Sequence, residues 1–92
     1  MSNYRKGYRA EREIMEYMKV QYGCVSVRSA GSHSPIDILA GNGKQVFAIQ
    51  VKAGKRKVKV DKETLTKWAK MFNAIPMIAS KQPRKDWNME VI

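Results

Sequence analysis

Residues 36–53 read IDILAGNGKQVFAIQVKA. IDILA is a β-rich run with a single charge, Asp37, inside it. GNG at 41–43 is a strong hairpin turn, and QVFAIQVKA reads as the returning strand. Side chains alternate along a strand. Phe47, Ile49 and Val51 therefore point one way, and Val46, Ala48, Gln50 and Lys52 the other. Both faces begin apolar, which predicts a central strand covered on both sides. Gln50 and Lys52 then sit together at the end of a buried face. Counting back from the turn places Asp37 and Gln50 near the same end of the hairpin.

Outward from this hairpin, residues 8–22 form a helix, with Tyr4, Tyr8, Met15, Met18 and Tyr22 recurring at helical spacing as one apolar stripe. Gly23 ends it. CVSVR, 24–28, alternates as a strand, and SAGSHSP is a loop. After the hairpin, GKRK is a turn and VKV, 58–60, continues the sheet. KETLTKWAKMF, 62–72, is a second helix, with Leu65, Trp68, Ala69 and Phe72 on one side and Asp61 as its cap. IPMIA, 75–79, and WNMEVI, 87–92, are the last strands. The order is helix, three strands, helix, two strands. It predicts an α/β sandwich, a central mixed sheet flanked by helices. Ninety-two residues make a single domain with a modest core, a size at which a partner subunit is a reasonable expectation.

Composition excludes several classes. Hydrophobic content of 43% is too high for disorder. No apolar run approaches the roughly 18 residues that cross a membrane. MSNYRKGYRAERE has no apolar secretory core, so an intracellular, cytoplasmic protein is expected. The single Cys24 cannot form an intrachain disulfide and reads as a small reduced core residue. Eighteen Lys and Arg against eight Asp and Glu give a net charge of +10. The charge is clustered, in RKGYRAER, in KAGKRKVKVDK at 52–62 and in KQPRK at 81–85, which favours a polyanionic partner over a merely solubilising surface.

Polar residues in apolar places carry the chemistry. On a helical wheel Glu11 falls within the stripe of the first helix. A carboxylate there needs a partner. It is either a structural pair with Arg28 or Lys52, a surface residue at the stripe edge, or part of a site. Asp37, Gln50 and Lys52 gather at the hairpin's end. Carboxylates and a carbonyl oxygen suit Mg²⁺, and a neighbouring lysine can orient a water or stabilise a phosphorane-like state. The spacing of Asp, about a dozen residues, then acid or amide, one residue, Lys is moderately specific alone and stronger in its hairpin. Lys6-Gly7 reads as the start of the helix, where free amides and a basic side chain suit phosphate. Lys55, Arg56, Lys57 and Lys59 read as phosphate contacts rather than a solvated hairpin. His33 is a solvated or DNA-facing residue, since no second His exists for a zinc site. Nothing resembles a base-reading motif. Shape and backbone recognition with strong salt dependence is expected.

These stretches resemble the archaeal-type Holliday junction resolvases, small members of the PD-(D/E)xK nuclease superfamily. The matching pieces are RKGYRAERE at 5–13, VRSAGS at 27–32, PIDILAGNGK at 35–44, IQVKAGK at 49–55 and MFNAIPMIA at 71–79. They span nearly the whole chain in order. The resemblance implies a restriction-endonuclease-like fold and one nuclease domain over 1–92. It implies a homodimer that nicks two opposed strands of a four-way DNA junction, using Mg²⁺ or Mn²⁺ and leaving 5′-phosphate and 3′-hydroxyl ends. By that resemblance Glu11, Asp37 and the residue at position 50 hold the metal, and Lys52 is the motif lysine. Arg5, Lys6, Arg9, Arg12, Arg28, Ser29 and Ser32 join Lys55, Arg56 and Lys57 as DNA contacts. Trp68 and Phe72 are dimer-interface anchors, with core packing the alternative. Neither a membrane nor a small-molecule substrate is expected.

The chain departs from the family at position 50, where Gln50 replaces the usual Glu. Its carbonyl can still meet a cation, but a negative charge is gone and metal affinity should fall. Gln50 is read as a natural variant, with an engineered inactivating change as the alternative. The chain ends in EVI without a tail, which fits a minimal or virus-encoded member. Three activities stay open: a junction resolvase, a junction binder with little cleavage, and a less selective nuclease of the same superfamily.

Overall fold

The computed structural model describes residues 2–29, 34–53 and 61–92, with side chains from residue 8 onward in the first helix. In chain order the elements are α1 (Ser2–Tyr22), β1 (Val25–Arg28), β2 (Ile38–Gly41), β3 (Val46–Ala53), α2 (Lys62–Met71), β4 (Ile75–Lys81) and β5 (Asn88–Val91). The strands form one sheet in the order β1-β2-β3-β4-β5. All pairs are antiparallel except β3 with β4, which are parallel and joined through α2. This is the mixed sheet expected from the sequence, and β3 is its central strand.

The helices cover opposite faces of the sheet. Ile14 and Met18 of α1 are packed with Ile38, Ala40, Phe47, Ile49 and Met77. Leu65 and Ala69 of α2 are packed with Ile36, Ala48 and Ile78. Phe47 and Ile49 thus face α1 while Ala48 faces α2, as the alternation along β3 requires.

The stripe on α1 is rotated from the one read in the sequence. Ala10, Ile14 and Met18 are buried, whereas Tyr8 is 41% and Tyr22 39% exposed. Branched and small residues fit closer to a flat sheet than tyrosines, whose hydroxyls stay wet at the edge. Glu11 consequently lies beside the buried stripe rather than in its middle. α1 also begins at Ser2, so Lys6-Gly7 lies inside the helix. The backbone amides there are not the free amides of a helix start, and that expected phosphate site is corrected.

Gly23, at φ +68°, ends α1 in the left-handed conformation. The hairpin turn is shifted one residue from GNG. Gly41 closes β2, and Asn42 shapes the turn through Oδ1, which accepts from Lys44 N at 2.9 Å and Gln45 N at 2.8 Å. Asp61 caps α2, accepting from Thr64 N at 3.0 Å. α2 stops at Met71, leaving Phe72 as its C-cap. Trp87 Nε1 donates to Glu13 Oε1 at 2.8 Å and ties the approach to β5 onto α1. Cys24 is buried and free. VKV, 58–60, lies outside the described residues. Among the described residues, no helix is long and apolar enough to cross a membrane.

Candidate active site

Asp37 stands immediately before β2, not within it, and its backbone extends the ladder on both sides. Its N–H donates to Ile49 O at 2.8 Å and its C=O accepts from Ser29 N at 2.9 Å. Its carboxylate is turned onto β3, where Oδ2 accepts the Val51 N–H at 2.8 Å. The residue is half-buried. Burial pushes its carboxyl above the ordinary range, the Val51 N–H pulls it back, the Glu11 charge raises it and the Lys52 charge lowers it. Glu11 and Lys52 are therefore close enough to act on Asp37 electrostatically.

Ile38 pairs with Ile49, so the same register sets Asp37 beside Gln50. Gln50 Oε1 is buried and has no hydrogen-bond partner among the described residues. A buried amide oxygen without a donor is unfavourable by about 1–3 kcal/mol. Such an atom beside a carboxylate signals a ligand-facing position. Lys52 follows two residues later on the same side of β3.

Glu11 approaches from α1. Arg28 Nε donates to its Oε1 at 2.7 Å, joining α1 to the end of β1. This is the structural pairing the sequence allowed, and it coexists with the site. Glu11 Oε2 takes no hydrogen bond from a described residue. Among the described residues no three His, Cys, Asp or Glu side chains cluster as a metal site. The set here is two carboxylates and an amide, since Gln50 stands where a third carboxylate would complete such a group.

Arg9 and Arg12 lie exposed on α1. Ser29 reaches the site through its backbone, as above. The side chains of Arg5 and Lys6 lie outside the described residues, as do Ser32, His33, Lys55, Arg56, Lys57 and Lys59. Trp68 and Phe72 are 41% and 50% exposed, so neither is buried in the core. With Val27, Ser34, Leu39 and Asp37 they line a shallow cleft of about 160 Å³. Asp37 thus lies between the polar set and an apolar patch.

One participant was not legible as such in the sequence. Tyr8 was read as core, yet its ring lies 4.5 Å from the Arg28 guanidinium and 5.7 Å from that of Arg12. Its spacing, three and four residues before Glu11 and Arg12, was the available signal.

A mixed sheet between two helices, with carboxylates, an amide and a lysine at the end of its central hairpin, defines a restriction-endonuclease-like fold. The family model for archaeal Holliday junction resolvases (Hjc) matches residues 2–92, and the chain belongs to that family. It is 38% identical over 90 residues to the crossover junction endodeoxyribonuclease Hjc of Archaeoglobus fulgidus, covering 89% of this chain and 65% of that protein. The chain thus spans just under two thirds of that curated relative's length. The solved structure of Archaeoglobus fulgidus Hjc, a Holliday junction resolvase from an archaeal hyperthermophile, matches with a TM-score of 0.75 at 34% identity. The match covers 94% of this chain and 72% of that one.

Proposed function

We propose that the protein is a structure-specific endonuclease that hydrolyses phosphodiester bonds in four-way DNA junctions, acting as a homodimer in which residues 1–92 form the nuclease domain. The observation that carries this reading is the placement of Asp37 beside the unsatisfied Gln50 oxygen, with Glu11 and Lys52 in electrostatic reach, in a member of this family.

The donor set fits a hard divalent cation. Asp37 and Glu11 supply carboxylate oxygens and Gln50 a neutral one, all of the type that Mg²⁺ and Mn²⁺ take. A cation held there supplies charge neutralisation at a scissile phosphate and acidifies a water. The chain's own residues do the rest. The Val51 N–H fixes one Asp37 oxygen, Oδ2, against β3. Lys52 places a positive charge beside Asp37, where it can donate to a phosphate oxygen. The net charge of +10, with Arg9 and Arg12 exposed on α1, supplies the attraction for DNA backbone. Junction DNA as substrate implies an intracellular location.

The dimer reading is supported by the apolar surface on the α2 side. Val27, Trp68 and Phe72 are exposed around one cleft, and Met71 beside them is 85% exposed. A two-fold dimer would bury the same patch of both subunits against each other.

One observation favours a second reading, a junction binder with weak cleavage. Gln50 removes a negative charge from the cation's surroundings, so the site holds a cation less tightly than a three-carboxylate set. Cleavage of a synthetic four-way junction and of a plain duplex, with this chain and its Gln50→Glu variant, separates the readings. The proposed function predicts junction-selective cleavage by both proteins, with faster cleavage by the variant at low cation concentration. Binding without cleavage by this chain, with cleavage by the variant, supports the binder. Equal cleavage of junction and duplex rejects junction selectivity.

A further inference from the structure

We propose that the turn between β4 and β5, with Arg84 at its tip, is a phosphate-binding element that grips the DNA backbone beside the scissile phosphate and continues a polar row that starts at Lys52. This rests on reading Asp37, Gln50 and Lys52 as the nuclease site.

The turn runs Gln82-Pro83-Arg84-Lys85 and is closed by Lys85 N, which donates to Gln82 O at 3.1 Å. Pro83 holds its second position and Arg84 its third, at φ +64°. A turn with proline second and a positive φ third prefers glycine at that third position, because a side chain is disfavoured in the left-handed region. Asn73, also at positive φ, follows the C-cap of α2, where asparagine commonly stands. Arg84 has no such explanation. Its side chain is exposed, with no hydrogen bond or ion pair to another described residue. An unpartnered arginine kept in an unfavourable backbone conformation points to a ligand outside the chain. The turn is nonetheless held in place. Trp87 Nε1 donates to Glu13 Oε1 at 2.8 Å, and Lys81 Nζ lies 3.9 Å from the same oxygen and 5.8 Å from the Trp87 ring centroid.

The turn lies at the right end of the sheet. β3 and β4 are parallel, with Lys52 beside Ser80 and Ala53 beside Lys81, so the chain turns where Lys52 stands. Ser80 is in its turn beside Asn88 of β5. Cross-strand neighbours share a face, so Lys52, Ser80 and Asn88 form one row, about 10 Å long at the usual strand spacing. The side chains of Ser80 and Asn88 have no hydrogen-bond partner among the described residues. Hydroxyl and amide groups of this kind donate to phosphate oxygens. Each DNA strand carries one phosphate per about 3.4 Å of axis, so a row of this length follows roughly two to three phosphates. The charge is complementary. Lys52, Lys81, Arg84 and Lys85 face Asp86 alone as an unpaired acid, since Glu13 is bonded to Trp87 and Glu90 is paired with Lys62 at 3.2 Å.

The test uses the full chain binding a synthetic four-way junction over a salt series without divalent cation. Arg84→Gly removes the side chain and suits the backbone. It should melt no lower than wild type. It should weaken junction binding by about 5–10-fold per protomer at about 0.1 M salt, and lower the salt slope by about one unit per protomer, the counterion release of one phosphate contact. Arg84→Gly with Lys85→Gln should lower the slope by about two. Junctions carrying one neutral methylphosphonate in place of a phosphate then locate the contact. The cut made by this chain, or by its Gln50→Glu variant, marks the scissile position. Neutralising a phosphate within about three nucleotides of it should weaken binding by wild type and leave Arg84→Gly unaffected. Unchanged affinity and slope for Arg84→Gly overturn the proposal and leave the nuclease site standing. A lower melting temperature also overturns it, because Arg84 would then serve the fold. Coupling only to phosphates farther from the cut overturns the continuity with Lys52. Absence of cleavage by both proteins overturns the nuclease reading and this proposal with it.

Discussion

The two ends of β3 share one strand and have opposite characters. Phe47, Ala48 and Ile49 are buried among apolar side chains from both helices. Gln50, the next residue, and Lys52, two further on, are half-buried, and Gln50 carries an oxygen with no donor among the described residues. Asp37 sits beside them with a carboxylate that burial disfavours. The first end is arranged for stability. The second holds polar groups where the fold alone gives them too little, which is the pattern of a site that awaits a ligand. A strand can serve both purposes because the apolar end fixes the backbone that the polar end depends on.

The comparison predicts that changes at the two ends separate in their effects. The largest effect is expected at the polar end. Lys52→Ala should slow junction cleavage by about 10²–10³-fold, the scale of losing one charge-stabilising group, while leaving thermal stability within about 0.5 kcal/mol of wild type. Single-turnover cleavage and a melting curve on the same preparation check both halves. Next comes the apolar end, probed through its packing partner. Ile14 is fully buried against Ile49's face of the sheet. Ile14→Ala should destabilise the fold by about 2–5 kcal/mol in denaturant titration and leave the cleavage rate of the remaining folded protein unchanged. Smaller and more conditional is the effect on the α2 side. Replacing Trp68 and Phe72 together by Glu should shift the protein from dimer to monomer in analytical ultracentrifugation without unfolding it. A dimer that survives this double change would move the interface elsewhere.

Much of this organisation was legible in the sequence. Alternation with apolar residues on both faces identified β3 as central, and its pairing through GNG placed Asp37 and Gln50 near the same end of the hairpin; the register that sets them side by side came from the structure. Asp61 was readable as a cap because an acidic residue stands just before a helical run. Three features were not legible for physical reasons. The α1 stripe was misplaced because tyrosines count as apolar in a periodicity, although their hydroxyls favour a wet edge. The helix start was missed because Gly7 disfavours a helix interior and residues 2–6 add only Tyr4 to the apolar period. The contact of Tyr8 with Arg28 is invisible locally, since it joins α1 to β1 across twenty residues of chain. The likeness to junction resolvases, read from RKGYRAERE and VRSAGS, was supported by the family match over residues 2–92. The roles of individual site residues rest on the geometry described above and on the experiments named here.

The central claim is that Asp37 serves function at the expense of stability, and Asp37→Asn tests it most directly. The carboxyl is raised above 3.8 in the fold, so its ionisation disfavours the folded state. The stability tied to its protonated form is present below about pH 3.8 and lost as pH rises through the raised value. Asparagine keeps an acceptor for the Val51 N–H but cannot ionise. The account predicts that Asp37→Asn melts at a higher temperature than wild type at pH 7, that the gain vanishes as the pH falls below about 3.8, and that junction cleavage is lost. A variant that melts lower than wild type at pH 7, or one that still cleaves at the wild-type rate, would contradict it.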